Sequence, residues 1–522
     1  MLAHRPVVMG ERGMVVAGHP RAAEAGVAML RAGGNAMDAA AATAAALAMA
    51  IPFMNGLGGD AIALIADPSG DVTAINGSGA TGRAATVDAL RRRGLTEMPM
   101  RGAVTVSVPG FVAALGEGLE RFGTLPLAQV LEPAIAIAEE GVAIDTSAAA
   151  FFNGPIYAGL VRDFPVLGAM FGAPGGWTLG QRLRQPAAGK VLRALARDGW
   201  RSFYEGALAK AWLAEARNAG VLLEGDDLRT HHTGFAPSLH VAWRGRKVHA
   251  APPNAQGLAL LAMLGLGEAQ PAPPPADGSD PLIDPLAHLA RKTAAFAIRD
   301  AYCTDPRRVA LPPAILDPAR LAALALPASG EALSRAGGGD TSTFVVVDRD
   351  GRSVSWVQSL FEELGSGIAC PAHGIVLHNR AALERLDDDP VHGLRPGHRP
   401  FHTLCPAIAC GHEGELMVLA TPGDHGQPQT LFQVLRRLVE QGLDVQSAIE
   451  WPRLRHDSGR EVMLEDRCPA AWDGTLSAAG WLPRRVGPWS RLMGGVNAIV
   501  RRPDGLLMGG ADPRRSSYAL AA

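Results

Sequence analysis

A glycine run followed at once by an alternating, β-branched segment is the feature that most constrains the fold of this chain. It lies in residues 337–368, GGGDTSTFVVVDRDGRSVSWVQSLFEELGSGI. Residues 343–347 are rich in valine and alternate weakly, which predicts a strand. Residues 348–351, DRDG, have turn composition, and residues 353–358 alternate again. The segment therefore predicts a β-hairpin whose first strand starts beside Thr341.

The turn chemistry also predicts the register of this hairpin. Glycine usually takes the left-handed position of a three-residue hairpin loop, so residues 349–351 are predicted to form the loop between Asp348 and Arg352. Continuing the pairing away from the loop places Thr341 opposite Ser359, with Cα atoms about 4.5–5.5 Å apart. A second hydroxyl at that distance could orient a nucleophile and stabilise developing charge.

Thr341 is also a residue at which self-cleavage would create a nucleophile. A new N-terminal threonine carries a hydroxyl that can attack and an α-amine that can act as the base. Cleavage between Asp340 and Thr341 would divide the precursor into residues 1–340 and 341–522. The local pattern alone also fits a surface hairpin that begins at an ordinary threonine.

Composition limits the partners and the compartment. The chain has 522 residues, 48% of them hydrophobic, and its formal net charge of −2 gives no reason to expect nucleic acid or an anionic membrane as a partner. Its five cysteines form no CxxC pair, which argues against a disulfide scaffold or a zinc site and favours a reducing compartment. The first residues contain no apolar run typical of a signal peptide, and the longest apolar stretch is too short for a membrane span. We therefore expect a cytoplasmic protein.

The rest of the chain predicts a mixture of helices and strands. Residues 21–31 and 36–50 predict two helices, the second capped by Asn35. Residues 61–66 and 240–248 each predict one strand. Helices lie mostly before the hairpin and strands mostly after it. Helices packed outside paired antiparallel sheets fit this mixture, which is an α+β architecture.

Motifs spread over nearly the whole chain resemble the γ-glutamyltransferase family. They are AGGNAMDAAAATAAALAM at residues 32–49, the glycine loop at 56–59, SVPGFVAAL at 107–115, FGTLPLAQVLEPAIAIAEEG at 122–141, TSTFVVVD at 341–348, GSGI at 365–368, WPRLRH at 451–456 and ADPRR at 511–515. The resemblance implies an N-terminal-nucleophile hydrolase, an αββα sandwich with additional helices from the large chain. Residues 1–340 would be the large subunit and 341–522 the small subunit of one catalytic unit. It also implies a heterodimer or a dimer of cleaved heterodimers, with no metal or organic cofactor.

The resemblance assigns the catalytic positions as well. Thr341 would attack the carbonyl of Asp340 during maturation and then the carbonyl of a small-molecule amide, forming an acyl-enzyme ester that water or an amine resolves. Ser359 would be the second hydroxyl beside it. The oxyanion hole would come from backbone N–H groups of the turn at Gly423 and Asp424. The family usually has a second glycine at the latter position. If that position needs a positive φ, an aspartate is only tolerated there, and its carboxylate is unfavourable beside an oxyanion unless it points away.

The positions that hold a glutamyl group in this family differ here. The arginine that clamps the α-carboxylate falls near Gly77, and the aspartate that binds the α-ammonium is replaced by Leu383. Buried charges left without partners cost several kcal/mol. We therefore do not expect efficient use of glutathione.

Four other residues occupy the substrate-contacting positions: Arg380, Phe361, His402 and Thr403. Arg380 lies in LHNR, and His402 and Thr403 lie in RPFHTLCPA. These two segments, together with FMNGLGGDA, PPNAQG and DHGQPQ, resemble the branch that includes oxamate amidohydrolase and the cephalosporin-acylase-like proteins. Arg380 suits a bidentate grip on a small carboxylate or, alternatively, an internal salt bridge. Phe361 would narrow the pocket, and His402 is a substrate contact or a structural histidine. Arg83 could also reach this pocket.

The sequence as a whole predicts an autoprocessing amidohydrolase that acts on a small carboxylate-bearing amide such as oxamate. A γ-glutamyltransferase or glutathione hydrolase is the alternative within the same class of enzymes. An uncleaved, non-catalytic relative that acts as a binding protein is an alternative of another class, and the aspartate at position 424 motivates it.

Overall fold

Two antiparallel sheets of seven strands each form the centre of residues 5–275, 278–326 and 341–522, the part of the chain that this computed structural model describes. We call the sheet that follows Thr341 the Thr341 sheet and the other the partner sheet. In spatial order, the strands of the Thr341 sheet are Tyr518–Ala521, Gly13–Ala17, Ser342–Asp348, Ser353–Ser359, Asp60–Ala66, Val72–Gly77 and Gly234–Pro237. Those of the partner sheet are Val8–Gly10, Leu507–Ala511, Asn497–Arg501, Leu416–Ala420, Ala407–Cys410, Arg246–Ala250 and Leu239–Trp243.

The two sheets pack face to face, and helices cover their outer faces. Buried side chains of both sheets, among them Val345, Val357 and Val418, form one apolar core between them. Helix Ala36–Ala50 packs on the outside of the Thr341 sheet, and helix Gly257–Ala269 packs on the outside of the partner sheet. The predicted α+β fold, an αββα sandwich, is confirmed.

Further helices surround these layers. The α-helices are Pro20–Arg31, Ala36–Ala50, Val87–Arg92, Phe111–Phe122, Leu127–Glu140, Thr146–Phe152, Pro155–Asp163, Pro165–Phe171, Pro186–Asp198, Gly206–Asn218, Gly225–Arg229, Gly257–Ala269, Pro285–Tyr302, Pro318–Ala322, Gln427–Val439, Val445–Glu450 and Ala471–Ala478. Small sheets pair Val142–Ala143 with Arg182–Leu183, Ala369–Cys370 with Ile375–Val376, and Leu454–Arg455 with Glu461–Leu464 and Leu482–Arg485. Within the described ranges, none of the helices has the length and apolar character needed to cross a membrane.

Helix Ala36–Ala50 shows how an alanine-rich segment serves the core. All of its residues are buried, and alanine side chains lose no rotamer entropy when neighbouring elements approach closely. Asn35 caps the helix as predicted: its side chain accepts from the N–H of Asp38, while the Asp38 carboxylate accepts from the N–H of Asn35. Asp38 also accepts hydrogen bonds from the N–H and the hydroxyl of Thr124. These bonds fix the connection between helices Phe111–Phe122 and Leu127–Glu140 to the start of helix Ala36–Ala50.

The hairpin after Thr341 has the predicted register. Ser342 pairs with Gln358, and the ladder continues to the loop. Gly351 has a φ of +89° and donates its N–H to the carbonyl of Asp348 at 3.2 Å, as a three-residue loop requires. The same register places the residue before Ser342 opposite Ser359.

The strand predicted over residues 240–248 is wrong in one respect, because the segment contains a hairpin. Leu239–Trp243 and Arg246–Ala250 pair antiparallel. The residues between them, Arg244 and Gly245, have φ values of +47° and +73°. Two consecutive positive φ values are typical of a two-residue type I′ turn, whose twist matches the flanking strands. An Arg-Gly pair indicates such a turn less strongly than Asn-Gly.

The two predicted subunits share the Thr341 sheet. Ser342–Asp348 pairs with Gly13–Ala17 on one side and with Ser353–Ser359 on the other, and the latter strand pairs with Asp60–Ala66. Strands from both sides of the predicted cleavage position are therefore hydrogen-bonded to one another within one sheet. The position itself, at Asp340, lies outside the described residues.

Candidate functional site

The predicted nucleophile Thr341 is buried immediately before strand Ser342–Asp348, an inner strand of its sheet. Its exposed fraction is 4%, and its Oγ1 lies 3.2 Å from Ser359 Oγ. Ser359 Oγ also accepts the N–H of Phe361 at 2.8 Å, and Ser359 pairs with Asp60 on the neighbouring strand. The predicted juxtaposition of two hydroxyls is confirmed, and Ser359 is itself held in place by the backbone that follows it.

A small pocket beside Thr341 is lined by both sheets. Pro422, from the turn that follows strand Leu416–Ala420, shares this pocket with Thr341 and Asn497. Asn497 Nδ2 donates to the carbonyl and the hydroxyl of Thr343 at 2.8 and 2.9 Å, which ties the sheets together at this edge. The sandwich thereby brings the predicted oxyanion turn and the predicted nucleophile to one side of the molecule.

That turn presents two adjacent buried N–H groups. The N–H groups of Gly423 and Asp424 donate to no acceptor in the described part of the chain. Gly423 has a φ of 121° and Asp424 a φ of +52°, the left-handed conformation expected at the second position. Buried N–H groups without a partner are rare, and an oxyanion hole needs a pair of such donors. The aspartate is therefore compatible with the arrangement predicted for two glycines.

The side chain of Asp424 lies among cationic groups. It is fully buried, and neither carboxyl oxygen has a hydrogen-bond partner among the described residues. Burial raises the pKa of Asp424 to about 6, and Arg455, followed by Arg380 and Arg299, acts against this rise. These arginines also offset the repulsion that the carboxylate would exert on a developing oxyanion.

Arg380 is the cationic centre of the candidate substrate site. It is fully buried, its Nε lies 3.4 Å from Asp60 Oδ2, and its Nη1 donates to Thr403 Oγ1 at 3.1 Å. Its Nη2 has no hydrogen-bond partner in the residues that the structure describes. The structure shows the internal salt bridge of Arg380, and the grip on a carboxylate stays a prediction. It forms an ion pair, with a residue 320 positions away rather than within its own loop, and it keeps one N–H₂ group available.

The ring of Phe361 packs against the Arg380 guanidinium. The ring centroid lies 4.5 Å from Arg380 Cζ, a cation–π distance. The backbone of Phe361 is left-handed, with a φ of +78°, which is unusual for a bulky residue and typical of strained positions at functional sites. The bond from its N–H to Ser359 holds this conformation, so the same turn orients the second hydroxyl and the ring.

Asp60 is a site residue that the sequence analysis missed. It begins strand Asp60–Ala66, and its buried carboxylate lies 3.1 Å from His402 Nε2 and 3.6 Å from His378 Nε2. Burial alone would raise the pKa of Asp60, but the two histidines and Arg380 hold it well below its usual range. The available signal was a lone acidic residue at the head of the otherwise apolar strand DAIALIA.

Burial lowers the pKa of both histidines of this cluster. Burial lowers the pKa of His402 to about 4, and Arg380 lowers it further despite the bond to Asp60. Burial also lowers the pKa of His378, whose Nδ1 accepts the N–H of Arg380 at 3.1 Å. His402 Nδ1 has no partner among the described residues. The contacts of His402 favour the structural interpretation, because its Nε2 is hydrogen-bonded to the Asp60 carboxylate.

Arg83 does not join this cluster. It is exposed and lines a separate cavity with His231, Arg307 and Arg399. Leu383 lies at the end of the 3₁₀ turn that starts at Arg380 and packs at the edge of an apolar cluster. Neither residue offers a group to a ligand at Arg380.

Close packing leaves no space for a side chain at Gly77, the residue near which the clamp arginine is predicted to fall. A Cβ atom on this residue would lie 2.5 Å from the Cβ of Ala114 and 3.0 Å from the carbonyl oxygens of Ala61 and Gly110. Real Cβ atoms essentially never approach another atom to 2.5 Å, so no side chain fits there without a shift of the strand or the helix. An arginine at this position is incompatible with the way helix Phe111–Phe122 packs on the strand.

Known proteins are similar in sequence to almost the entire chain. The sequence profile described as gamma-glutamyltranspeptidase matches residues 22–522. The chain belongs to the gamma-glutamyltranspeptidase family. Its relatives within the family include the oxamate amidohydrolase proenzyme of Klebsiella pneumoniae, which is 37% identical over 97% of this chain and 98% of its own length.

Two further gamma-glutamyltranspeptidase relatives extend the comparison. The glutathione hydrolase-like YwrD proenzyme of Bacillus subtilis is 34% identical over 98% of this chain and 99% of its own length. The crystal structure of cephalosporin acylase from Bacillus halodurans superposes with a TM-score of 0.89 at 29% identity, covering 100% of this chain and 98% of that one. The protein is thus an enzyme of the hydrolase class with the N-terminal-nucleophile fold, in a family of proenzymes.

Proposed function

We propose that this enzyme hydrolyses a small carboxylate-bearing amide of the oxamate type through an acyl-enzyme on Thr341. The observation that carries the proposal is Arg380, which is buried, lies against the ring of Phe361 beside Ser359, and has Nη2 unpartnered among the described residues. A carboxylate bound there would receive charge-assisted hydrogen bonds. The relative named oxamate amidohydrolase supports the same substrate class.

The proposed reaction begins with maturation. Thr341 Oγ1 attacks the carbonyl of Asp340, the peptide C–N bond between them breaks, and its nitrogen takes up the hydroxyl proton as the ester forms. Water then hydrolyses the ester and leaves residues 1–340 and 341–522 as two chains. The α-amine of Thr341 is then free to take the hydroxyl proton when Oγ1 attacks the amide carbonyl of the substrate. Asp340 lies outside the described residues, so its bond to Thr341 enters as part of the proposal.

In the catalytic cycle, the N–H groups of Gly423 and Asp424 stabilise the oxyanion of the tetrahedral intermediate. Collapse breaks the C–N bond, the amine proton passes to the leaving nitrogen, and ammonia departs. Water then attacks the ester, its proton goes to the α-amine, and the free acid leaves with Thr341 regenerated. The hydrogen bond between Ser359 and Thr341 orients the hydroxyl throughout.

Glutathione hydrolysis is the competing function, because a relative carries that activity in its name. The site argues against it. Gly77, near which the clamp arginine would fall, has no room for a side chain, and Leu383 offers no charge to an α-ammonium group. We propose further that the two chains remain together as a heterodimer or pair into a dimer of heterodimers.

Ammonia release from oxamate, compared with glutamate release from glutathione, tests this proposal. We expect turnover of oxamate by the mature enzyme, little turnover of glutathione, and loss of both in Thr341→Ala. Preferential turnover of glutathione would overturn the substrate assignment. Absence of turnover with either substrate, in protein that has cleaved itself, would overturn the small-amide class.

A further inference from the structure

Gln256 connects the segment that holds Thr403 to the turn at Asp424, and no other side chain described above bonds to both. It lies in the PPNAQG segment, immediately before helix Gly257–Ala269, and is completely buried. Its Nε2 donates to the carbonyl oxygen of Thr403 and, at 2.8 Å, to the carbonyl oxygen of Asp424. One amide group therefore joins a substrate-site segment to the oxyanion turn.

Each of these carbonyls belongs to a residue with a second contact in the site. Thr403 binds Arg380 through Oγ1 at 3.1 Å. Asp424 carries one of the two N–H groups of the predicted oxyanion hole. Two hydrogen bonds from Gln256 Nε2 thus set the distance between the Arg380 guanidinium, the proposed carboxylate-binding group, and the predicted oxyanion hole.

Arg299 fixes the orientation of the Gln256 amide. Arg299 Nη1 lies 3.3 Å from Gln256 Oε1, and the same atom lies 3.0 Å from His425 Nδ1. A guanidinium can only donate, so it selects the amide orientation in which oxygen faces Arg299 and the N–H₂ group faces the two carbonyls. The amide has no freedom to flip without placing like groups against each other.

We propose that Gln256 is a positioning residue for acylation of Thr341, because it holds the oxyanion turn in register with the substrate grip at Arg380. This inference rests on the proposed function. A shift of about 1 Å at a reacting centre can cost a hundredfold in rate. Loss of both bonds from Gln256 should therefore slow acylation rather than abolish folding.

Two variants distinguish the effect of the hydrogen-bond donors of Gln256 from the effect of its side-chain volume. Gln256→Met keeps the length and removes both donors. Gln256→Glu keeps an oxygen for Arg299, and its carboxyl group regains one O–H donor only when protonated. The matched control is Gln433→Met, since Gln433 is also buried and its Nε2 also bridges two carbonyls, those of Gln429 and Leu454.

The measurement is the rate at which p-nitrophenyl acetate acetylates the mature small chain, followed by intact mass, beside kcat and KM for oxamate. We expect Gln256→Met to slow acetylation and lower kcat by about tenfold or more, with Gln433→Met unchanged at equal folded fraction. In Gln256→Glu, the rate relative to wild type should rise as the pH falls. In Gln256→Met that ratio should stay constant.

The outcomes distinguish this inference from the proposed function. Equal acetylation rates in wild type, both Gln256 variants and Gln433→Met would overturn the positioning role. Acetylation of wild type without oxamate turnover would overturn the substrate assignment, while the rates of the variants would still decide the role of Gln256. A wild-type enzyme that is not acetylated at Thr341 would overturn the nucleophile, and with it this inference.

Discussion

Asp424 is the residue of the site where backbone strain and buried charge coincide. A left-handed conformation costs a residue other than glycine about 1–2 kcal/mol, and Asp424 has a φ of +52°. Its buried carboxyl has no hydrogen-bond partner among the described residues. Both features lower stability, while the N–H of the same residue stays available for an oxyanion.

Asp424→Asn is expected to stabilise the protein at neutral pH. Burial raises the pKa of this carboxyl from 3.8 to about 6 in the folded state. Between those values the folded protein binds more protons than the unfolded chain, so the stability of the wild type falls as the pH rises. Asparagine does not ionise, and the free energy of unfolding at pH 7 should rise by about 1–3 kcal/mol.

Thermal unfolding of both proteins between pH 4 and pH 8 measures this difference. The difference in stability in favour of the asparagine variant should increase as the pH rises from 4 to 8, and it should vanish near pH 4. A difference that does not change with pH would mean that the carboxyl group is not penalised by burial.

Arg380→Lys is expected to raise KM for oxamate by about tenfold or more, the equivalent of one charge-assisted hydrogen bond. Lysine keeps the charge but loses the planar group that contacts Asp60, Thr403 and the Phe361 ring at once. Steady-state kinetics of the mature enzyme provide the measurement.

The matched control is Arg437→Lys. Arg437 is also buried, lies 2.6 Å from Asp280 and sits 4.4 Å from the ring centroid of Trp451, so both substitutions disturb the same kinds of contact. Only the change at Arg380 should alter KM. Similar KM values for the two variants would contradict a role for Arg380 in binding.

Among the elements, those specified by local chemistry could be predicted from the sequence. The hairpin after Thr341 follows from its Asp-Gly turn and alternation, and its register is confirmed. Helix Ala36–Ala50 follows from its capping residue. The hairpin at 239–250 was missed because an Arg-Gly turn is a weak signal.

The cluster around Asp60 could not be predicted in the same way. It joins Asp60 to Arg380 and His402, which lie more than three hundred positions away in the chain. Its existence depends on strand order, since Asp60 reaches the site by pairing with Ser359. The identities of Arg380, Phe361, His402 and Thr403 came from the family resemblance, and the way they contact one another came only from the fold.

The close approach of a helix and a strand at Gly77 leads to a further prediction. Gly77→Ala should destabilise the protein by about 1–3 kcal/mol through overpacking, because its Cβ would lie 2.5 Å from that of Ala114. Gly474→Ala is the control, since nothing lies within 4 Å of a Cβ there and the site is helical. Urea unfolding of both variants provides the measurement, and equal midpoints would contradict the overpacking at position 77.

At the scale of the whole molecule, the two predicted chains are interleaved. Strand Ser342–Asp348 lies between Gly13–Ala17 and Ser353–Ser359, and main-chain hydrogen bonds join all three. We therefore expect both fragments to elute together on size-exclusion chromatography in native buffer and to separate only in denaturant. Elution of residues 341–522 alone under native conditions would contradict the single shared sandwich.

The central claim is that Thr341 becomes the N-terminal nucleophile of the mature enzyme, and intact mass tests it most directly. The chain of 54.4 kDa should yield fragments of about 35 and 19 kDa, in proportion to residues 1–340 and 341–522. Thr341→Ala should remain whole, whereas Ser342→Ala, which alters the adjacent hydroxyl, should still cleave. A wild-type chain that stays at full mass on long incubation, or a Thr341→Ala chain that cleaves at the same bond, would contradict the account.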